Sequence, residues 1–390
     1  MANAVILSAA RTAVGTARKG SLANTRAETL AVTVLKAAIE RAGLAPEQVG
    51  DVMFAESLYG GGDVARYAAL EAGLTRTSGM AVNRHCAGSL TSTGLAAATV
   101  LAGMEDIIIA GGVQSSSTSP VLSWRNPATG EVEEFWMPPT HPEQADAPGR
   151  DMSITVGWNT AQEAKLTREE MDAWAVRSHQ RAIAAIDAGN FADEIVPVQA
   201  VAADGSTFEF KVDEHPRRDS SLEKLATLKP LHPEIEGFSI TAGNSSGVND
   251  AASALAVSTD AYAAKLGLAP IARIHGWAAI GIDPKLTGMA VIDVIRKLMD
   301  RTGRKLDDVA LWEINEAFAS VPVAACKVLG LDEATVNISG SGCSLGHPVG
   351  ASGGRMLATL INDLKRRGGG LGVATMCAGG GQAGAVLIEV

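Results

Sequence analysis

The first part of the chain alternates between amphipathic helical patterns and short, continuously apolar stretches. The apolar stretches at 4–7, 51–55 and 106–110 predict buried strands, the last of them closed by two glycines. Helical spacing of apolar residues predicts helices at 27–42 and 89–102, and a glycine follows each of them. Helices that alternate with fully apolar strands are typical of sheets covered by helices on both faces. The pattern therefore predicts an α/β fold.

The second half of the chain repeats this pattern at an offset of about 260 residues. Gly43 and Gly303 each end a helical pattern that leads into an apolar strand, and IIIAGGVQ at 107–114 corresponds to TMCAGGGQ at 375–382. Repetition of this kind predicts an internal duplication. Ligand sites in such sheets lie beyond the carboxyl ends of the strands. If the two halves pack about a pseudo-dyad, equivalent positions can meet at one cleft.

The middle of the chain has no counterpart in the other half. It contains irregular, proline-rich stretches and one clear helix at 167–188, which opens with a capping box. Long irregular insertions usually form lids or binding surfaces. We assign the chain to three parts: an N-terminal half at 1–116 and 244–265, an inserted loop domain at 117–243, and a C-terminal half at 266–390.

Composition narrows the function. The net charge of −10 and the lack of a basic tract argue against nucleic acid and anionic membrane surfaces as partners. No apolar run reaches the roughly 18 residues needed to span a bilayer, and the N-terminus lacks the pattern of a signal peptide. The four cysteines fit neither a disulfide framework nor a zinc motif. Dinucleotide, P-loop, zinc-protease and serine-hydrolase motifs are also missing. We therefore expect a cytoplasmic enzyme without a metal.

Cys86 stands between a short apolar stretch and the predicted start of a helix. The positive end of a helix stabilises a thiolate by about 0.3–1 kcal/mol, whereas each unit of pKa corresponds to about 1.4 kcal/mol. A thiol of ordinary pKa, about 8.5, is only about 3% ionised at pH 7. A helix end is therefore insufficient, and a reactive Cys86 needs a histidine partner. The alternative is a small, buried, unreactive cysteine.

Two further residues lie at positions that the repeat brings near this cysteine. His347 follows a glycine and precedes a proline, in a turn that can hold an imidazole outside a strand end. Cys377 ends an apolar strand, and three glycines after it would let a ligand approach backbone N–H groups. The alternatives are a turn histidine bound to the backbone and a core cysteine before a tight turn.

Three polar features complete the set of candidates. Asn315 follows the apolar run at 309–314, and its amide can hold a water or a carbonyl group, or cap a helix. The glycine-rich polar segment at 241–250 precedes an apolar pattern that predicts a helix at 251–256, so it is either a binding loop or a capped turn. Arg217 belongs to a local basic pair that could meet a phosphate or lie on a solvated surface.

Five motifs together resemble the thiolase family, and they occur in the same order over essentially the whole chain. They are NRHCAGS around Cys86, TAGNSSGVND around Ser246, NEAFA at 315–319, GHPVGASGGR at 346–355 and CAGGGQ at 377–382. The resemblance implies a duplicated thiolase fold, a five-layered αβαβα core with an inserted loop domain. It also implies transfer of an acyl group between an enzyme cysteine and CoA.

The reaction implied by this resemblance cleaves a 3-ketoacyl-CoA to acetyl-CoA and a shortened acyl-CoA, or runs as the reverse Claisen condensation. Cys86 is then the nucleophile that carries the acyl group. His347 takes its proton, Cys377 is the acid/base at the acetyl-CoA methyl carbon, and Asn315 holds a water in one oxyanion hole. The backbone N–H groups of Cys86 and Gly379 form the other. CoA is a substrate and no cofactor is implied.

The resemblance also assigns Ser246 and Arg217 to CoA contacts, and it implies a homodimer or homotetramer that acts in fatty acid degradation. The chain departs from the family pattern around Cys343 and over the segment 131–160, so both features leave the acyl preference open. Two alternatives remain: a non-catalytic thiolase-like acyl-CoA-binding or partner subunit, and a decarboxylating condensing enzyme of the same superfamily. Cys377 argues against the second.

Overall fold

The computed structural model describes residues 2–57 and 62–390, and its core is one mixed sheet flanked by helices. The strands are β1 Ala4–Thr12, β2 Gly15–Thr16, β3 Asp51–Ala55, β4 Ser78–Val82, β5 Ile107–Gln114, β6 Trp124–Arg125, β7 Val132–Glu133, β8 Ile195–Val196, β9 Val198–Val201, β10 Thr207–Phe210, β11 Asn249–Thr259, β12 Ala272–Gly281, β13 Val309–Ile314, β14 Leu371–Ala378 and β15 Gln382–Glu389. The helices are α1 Ala27–Ala42, α2 Val64–Glu71, α3 Gly88–Leu101, α4 Asn159–Glu163, α5 Arg168–Asp187, α6 Leu222–Ala226, α7 Asp260–Lys265, α8 Ala290–Thr302, α9 Ser320–Leu329, α10 Gly342–Leu345 and α11 Ser352–Arg367.

The sheet consists of two halves with the same topology. The strand order is β13-β14-β15-β12-β1-β11-β5-β3-β4. In each half two antiparallel pairings lead to one parallel pairing: β1-β11-β5-β3 in the first and β12-β15-β14-β13 in the second. The halves join where β1 pairs with β12 over three residue pairs. This repeated topology confirms the duplicated fold that the sequence predicts.

The helices and the two half-sheets form the five layers αβαβα. Helices α3 and α11 pack in the middle, where both contact strands of the two halves. Helices α1 and α8 cover the outer faces of the first and second half-sheets. Ile107 and Ile109 of β5 face the outer core, while Ile108 faces the central one. Because successive side chains of a strand point to opposite faces, burial on both faces explains the continuous apolar run.

Two local predictions are wrong. The pattern at 251–256 predicts a helix, but these residues belong to β11, which pairs with β1 on one side and β5 on the other. A short run of alanines carries little propensity of its own, so the two neighbouring strands decide its structure. The glycines at 111–112 do not close β5, which continues to Gln114. They are needed for packing instead, because a Cβ on Gly111 would lie 2.0 Å from the carbonyl oxygen of Ser253.

The segment between β5 and β11 is irregular and contains the helix predicted at 167–188, observed as α5. Its capping box is present: the Thr167 hydroxyl accepts from the Glu170 N–H at 3.2 Å, and the Glu170 carboxylate accepts from the Thr167 N–H at 2.7 Å. The segment is fastened to the core through β8, which pairs with β1. The domain boundaries given above stay a prediction. No helix among the described residues is both long and apolar enough to cross a membrane.

The fully buried Arg11 of β1 also holds the inserted segment. Its guanidinium donates to Glu194 at 2.7 Å and to both carboxylate oxygens of Asp213 at 2.8 and 2.9 Å. All three side chains are fully buried. Burial opposes the charged form of Arg11, but the two carboxylates outweigh it and raise its pKa. Among the residues that the structure describes, Arg11 is the one cation that forms an ion pair with either carboxylate.

Candidate active site

Residues from both halves of the sheet line one cavity of about 280 Å³. It includes five of the residues predicted from the sequence: Cys86, Ser246, His347, Cys377 and Gly379. The remaining wall is mostly apolar and includes Met152, Val156, Val248, Ala317, Phe318 and Val349. Two thiols and one imidazole, separated by up to about 290 positions in the sequence, are thus brought together.

Cys86 lies in the connection between β4 and the first turn of α3. The surrounding protein raises the pKa of its thiol to about 11, because removal from water disfavours the thiolate. The backbone N–H groups of Cys86 and Gly379 hydrogen-bond the sulfur and partly oppose this effect. The helix end therefore leaves Cys86 protonated at neutral pH, and its activation requires a base.

His347 presents an imidazole whose protonation is set by its neighbours. Its Nδ1 lies 2.7 Å from the hydroxyl of Ser352, and that hydroxyl donates to the carbonyl of Pro348 at 2.9 Å. Because a serine has a single hydroxyl proton, Ser352 accepts from Nδ1–H, which leaves Nε2 without a proton. Burial and the charge of Arg355 lower the pKa of His347 to about 3. The ring is neutral, and its Nε2 carries a lone pair that can accept a proton.

The backbone before this histidine is fixed by Asn249. The Asn249 amide oxygen accepts from the His347 N–H at 3.0 Å, and its nitrogen donates to the carbonyl of Gly15 at 3.1 Å. Gly346 has a φ of +97°, and a Cβ there would lie 2.4 Å from Asn249. Only glycine fits this position. The turn that precedes His347 therefore requires glycine because a side chain at position 346 would clash with Asn249.

Cys377 is the last residue but one of β14 and is buried. Burial raises the pKa of its thiol, and the nearby Cys86 adds to the rise. The three glycines after it form the turn between β14 and β15. Both sulfurs are therefore protonated in the absence of substrate. A protonated thiol can donate to a carbanion, which a thiolate cannot do.

Asn315 lies outside the residues that line the cavity but contacts the imidazole of His347. Its amide nitrogen lies 3.4 Å from both Nδ1 and Nε2 of that ring. Its oxygen is buried and has no hydrogen-bond partner within the described residues. The next helix begins at Ser320, so Asn315 is not a helix cap. An unpartnered buried acceptor beside the imidazole fits the binding of a water.

A second cavity, of about 610 Å³, adjoins the first and shares Ser246 and Gly247 with it. Its wall contains Arg217, His179, His215, Lys224 and Cys343. We call it the basic cavity. Arg217 therefore lies in a different cavity from the catalytic candidates. The two cavities meet at Ser246.

The basic cavity owes its charge to Arg217 and Lys224. Burial lowers the pKa of His179 to about 4, and the same cause lowers that of His215 to about 4, so both rings are neutral at pH 7. Lys224 pairs with Asp219 at 2.6 Å. Arg217 forms no ion pair within residues 2–57 and 62–390. It is the cation available for an anionic ligand.

Arg218, the other member of the basic pair, points elsewhere and binds Asp187 at 2.6 and 2.8 Å on the surface. Cys343 is buried, and its N–H donates to the carboxylate of Glu316 at 3.1 Å. It lies in the wall of the basic cavity and not of the catalytic one. Within the described part of the chain, no cluster of His, Cys, Asp and Glu could hold a metal ion.

Sequence reasoning missed Ser352 and Asn249, which hold His347 from two sides. Ser352 lies within the GHPVGAS motif, five residues after the histidine. Ser352 is the first residue of α11 and follows the turn that begins at Pro348, so its position at the start of the predicted helix was a usable signal. Asn249 is 98 residues away from His347, and only the tertiary structure joins them.

Comparison with known proteins gives consistent matches. The model of the thiolase N-terminal domain matches residues 4–261, and that of the thiolase C-terminal domain matches residues 268–390. An acetyl-CoA acetyltransferase of Escherichia coli (strain K12) is 41% identical, with 100% of this chain and 99% of that protein covered. One from Cupriavidus necator is 39% identical, with both chains covered completely. The crystal structure of the Bacillus anthracis acetyl-CoA acetyltransferase has a TM-score of 0.92 at 37% identity, covering 100% of this chain and 99% of the other.

Proposed function

The chain belongs to the thiolase family, and from this we propose that it cleaves 3-ketoacyl-CoA thioesters with CoA, or condenses two acyl-CoA molecules in reverse. Thiolases transfer acyl groups through CoA, and the full-length acetyl-CoA acetyltransferase relatives support this activity for the chain. The observation that carries the catalytic assignment is the meeting of Cys86, His347 and Cys377 in one cavity.

The first half of the reaction forms an acyl-enzyme. Nε2 of His347 removes the proton of Cys86, and the thiolate attacks the 3-keto carbon. The oxygen that becomes negative lies against the N–H groups of Cys86 and Gly379, which already reach the sulfur. Loss of one such donor typically costs about 10²–10³ in rate. Stabilising this oxygen is therefore a large part of catalysis.

Carbon–carbon cleavage then expels the enolate of acetyl-CoA and leaves the acyl group on Cys86 as a thioester. The thiol of Cys377 protonates the enolate carbon, and acetyl-CoA departs. The enolate oxygen is held by His347 and by a water on Asn315, whose free amide oxygen supports this placement. The thiol of a second CoA gives its proton to the thiolate of Cys377 and attacks the thioester. Shortened acyl-CoA leaves, and Cys86 recovers its proton from His347.

CoA occupies the basic cavity in this proposal. Arg217 supplies a positive charge for phosphate, and Ser246 stands where the two cavities join. A matched pair of variants tests this. Arg217→Gln should raise KM for CoA several-fold with little change in kcat, because it removes binding common to ground and transition states. Arg218→Gln, which breaks a surface ion pair, should leave both constants as they are. Equal effects of the two would refute the placement.

We further propose that the enzyme uses acetyl-CoA, acts in fatty acid degradation in the cytoplasm, and forms a homodimer or homotetramer. Four unpaired cysteines fit a reducing compartment. The edge strand β4 exposes Ser78 and Met80, and an exposed edge strand can pair with a second chain. Light scattering during size-exclusion chromatography tests the oligomer: a monomer at micromolar concentration would contradict it.

The acyl-enzyme is the direct test of the function. Incubation with acetyl-CoA should add one acetyl group to the protein, as read by intact mass spectrometry, and peptide mapping should place it on Cys86. Cys86→Ala should lose the adduct, while Cys326→Ala, a buried cysteine outside the cavity, should keep it. Cys377→Ala should acylate yet fail to exchange the methyl hydrogens of acetyl-CoA. Without any adduct on the wild type, the chain would be a binding or partner subunit.

A further inference from the structure

We propose that Thr140, in the inserted segment, is a positioning residue for the oxyanion hole formed by the N–H groups of Cys86 and Gly379. This inference rests on the proposed thiolase function. Thr140 lies outside the residues that line the catalytic cavity, so it acts through the backbone beside it and not on the substrate. That backbone is the turn between β14 and β15, residues 379–381, which we call the glycine turn.

Thr140 packs directly against the first two residues of the glycine turn. A Cβ on Gly379 would lie 2.7 Å from the methyl carbon Cγ2 of Thr140, and a Cβ on Gly380 would lie 2.6 Å from the carbonyl oxygen of Thr140. Cδ2 of His85 lies 3.7 Å from the same position beside Gly379. Thr140 therefore fills the space into which this end of the turn would otherwise move.

The remaining contacts of the glycine turn hold its other atoms. The N–H of Gly381 donates to the hydroxyl of Thr287 at 3.0 Å. The side-chain amide of Gln382 donates to the carbonyl of Gly379 at 3.1 Å. The N–H of Gly379 hydrogen-bonds the sulfur of Cys86 and belongs to the preceding peptide group, which neither of these two bonds involves. The packing contact described above can therefore keep this donor in place.

A separate hydrogen bond fixes the other donor of the oxyanion hole. The N–H of Cys86 belongs to the same peptide group as the carbonyl of His85, and that carbonyl accepts from the hydroxyl of Ser57 at 2.6 Å. His85 has a φ of +44°, in the left-handed region, and such strain persists only where the surrounding structure imposes it. The protein thus orients the Cys86 donor from outside the cavity, as we infer for Gly379.

Thr140 is itself held by hydrogen bonds within residues 139–149, which we call the brace loop. Its N–H donates to the carbonyl of Gly149 at 3.3 Å, and its hydroxyl lies 3.1 Å from the same carbonyl. The hydroxyl also lies 2.8 Å from Nδ1 of His141, while Nε2 of that ring lies 2.8 Å from the carbonyl of Ala147. Because a carbonyl can only accept, Nε2 carries a proton. Since His141 and Ala147 are buried, these bonds give the side chain of Thr140 a fixed position.

The brace loop is also tied to the wall of the catalytic cavity. The side-chain amide of Asn159 donates to the carbonyl of Asp146 at 2.8 Å, and the hydroxyl of Thr155 donates to the carbonyl of Pro148 at 2.9 Å. Thr155 precedes Val156, which lines the cavity. The brace loop and this wall thus form one hydrogen-bonded unit, and its contact with the glycine turn is made on the side of the oxyanion hole.

The size of the effect is limited by what one donor contributes. Complete loss of one oxyanion donor typically costs about 10²–10³ in rate. Thr140→Ala removes a methyl and a hydroxyl group but leaves the N–H of Gly379 in the protein. We therefore expect this variant to slow acetyl transfer to Cys86 by about 10- to 100-fold, because the donor is displaced and not deleted.

The two oxyanion holes allow a test that general damage to the fold would not satisfy. Rapid mixing of the full-length protein with acetyl-CoA, followed by intact mass spectrometry, measures the rate at which Cys86 is acetylated. This rate should fall in Thr140→Ala as stated above. Exchange of the methyl hydrogens of acetyl-CoA for deuterium, measured once Cys86 is fully acetylated, depends on Cys377 and on the enolate oxyanion hole. Exchange should stay within twofold of the wild type.

Two further variants serve as controls. Thr129→Ala makes the same change in the same inserted segment, at an exposed threonine whose hydroxyl donates to Glu131 at 3.2 Å. It should acetylate at the rate of the wild type. Thr140→Ser keeps the hydroxyl that bonds within the brace loop, and it should recover most of the acetylation rate that Thr140→Ala loses.

The outcomes separate the positioning role from the enzyme function. Acetylation of Thr140→Ala within twofold of the wild-type rate would overturn the role of Thr140. Equal losses of acetylation and exchange would also overturn it, because they would show a general structural effect. A loss in Thr129→Ala as large as that in Thr140→Ala would count against it in the same way. A wild type that forms no acetyl adduct would instead refute the proposed function.

Discussion

Replacement of Ser352 by alanine should reduce catalysis because it removes the group that sets the proton on His347. The Ser352 hydroxyl accepts from Nδ1–H at 2.7 Å inside a buried site. Without it, that N–H is a buried donor without a partner, which costs about 1–3 kcal/mol. The ring escapes this cost by moving its proton to Nε2, and then it cannot accept the proton of Cys86. At about 1.36 kcal/mol per tenfold, kcat should fall by about 5- to 150-fold.

Steady-state thiolysis of acetoacetyl-CoA measures this effect, with KM expected to change little because Ser352 does not line the cavity. Ser352→Thr keeps the hydroxyl and should recover most of the activity. Ser92→Ala is the matched control. It removes a buried hydroxyl of α3 that donates to the carbonyl of Gly111 in β5 at 2.8 Å. If Ser352→Ala keeps kcat within twofold of the wild type, or loses no more than Ser92→Ala, the assigned role of the serine is refuted.

Three further perturbations follow from the geometry. The rate of alkylation of Cys86 by iodoacetamide should rise about tenfold per pH unit up to the thiol pKa of about 11. Only the thiolate reacts, and below its pKa the thiolate fraction decreases about tenfold for each pH unit. A rate that becomes constant below pH 8 would contradict this. Arg11→Met leaves two buried carboxylates unpaired and should lower the free energy of unfolding in urea by about 3–5 kcal/mol, whereas Arg218→Met should change it little. Gly346→Ala, with its Cβ 2.4 Å from a neighbouring side chain, should abolish turnover, while Gly189→Ala, with open space around it, should keep it; the reverse order would show that the turn tolerates a side chain.

The catalytic candidates were accessible from the sequence because each lies where two elements of structure meet. Cys86 precedes α3, Cys377 ends β14, and His347 stands in the turn before α11. Such junctions carry local signals, chiefly glycines and proline. The repeat added the long-range information that these junctions share an end of the sheet. The supporting residue Asn249 has no such signal, since its partner is fixed only by packing.

The alanine-rich strand marks the limit of pattern analysis. Residues 251–256 alternate between the outer core, where Ala252 lies, and the central core, where Leu255 lies. Both faces are apolar, so the alternation is invisible in the sequence. Pairing with β1 and β5 supplies the stabilisation that local propensity lacks. Cavities pose the same difficulty: a further cavity of about 540 Å³ joins residues near 18, 57, 120, 136 and 248, and no local pattern indicates it.

The shared topology of the half-sheets implies an origin for the cleft. A single unduplicated lobe carries no cavity of this kind, because the thiol at 86 comes from one lobe and the imidazole at 347 from the other. Either lobe taken alone would hold only part of the reactive set, because the second thiol, at 377, also belongs to the later lobe. The isoleucine at 109 and the sulfur at 377, which occupy matching places in the two lobes, are the trace of that division of labour.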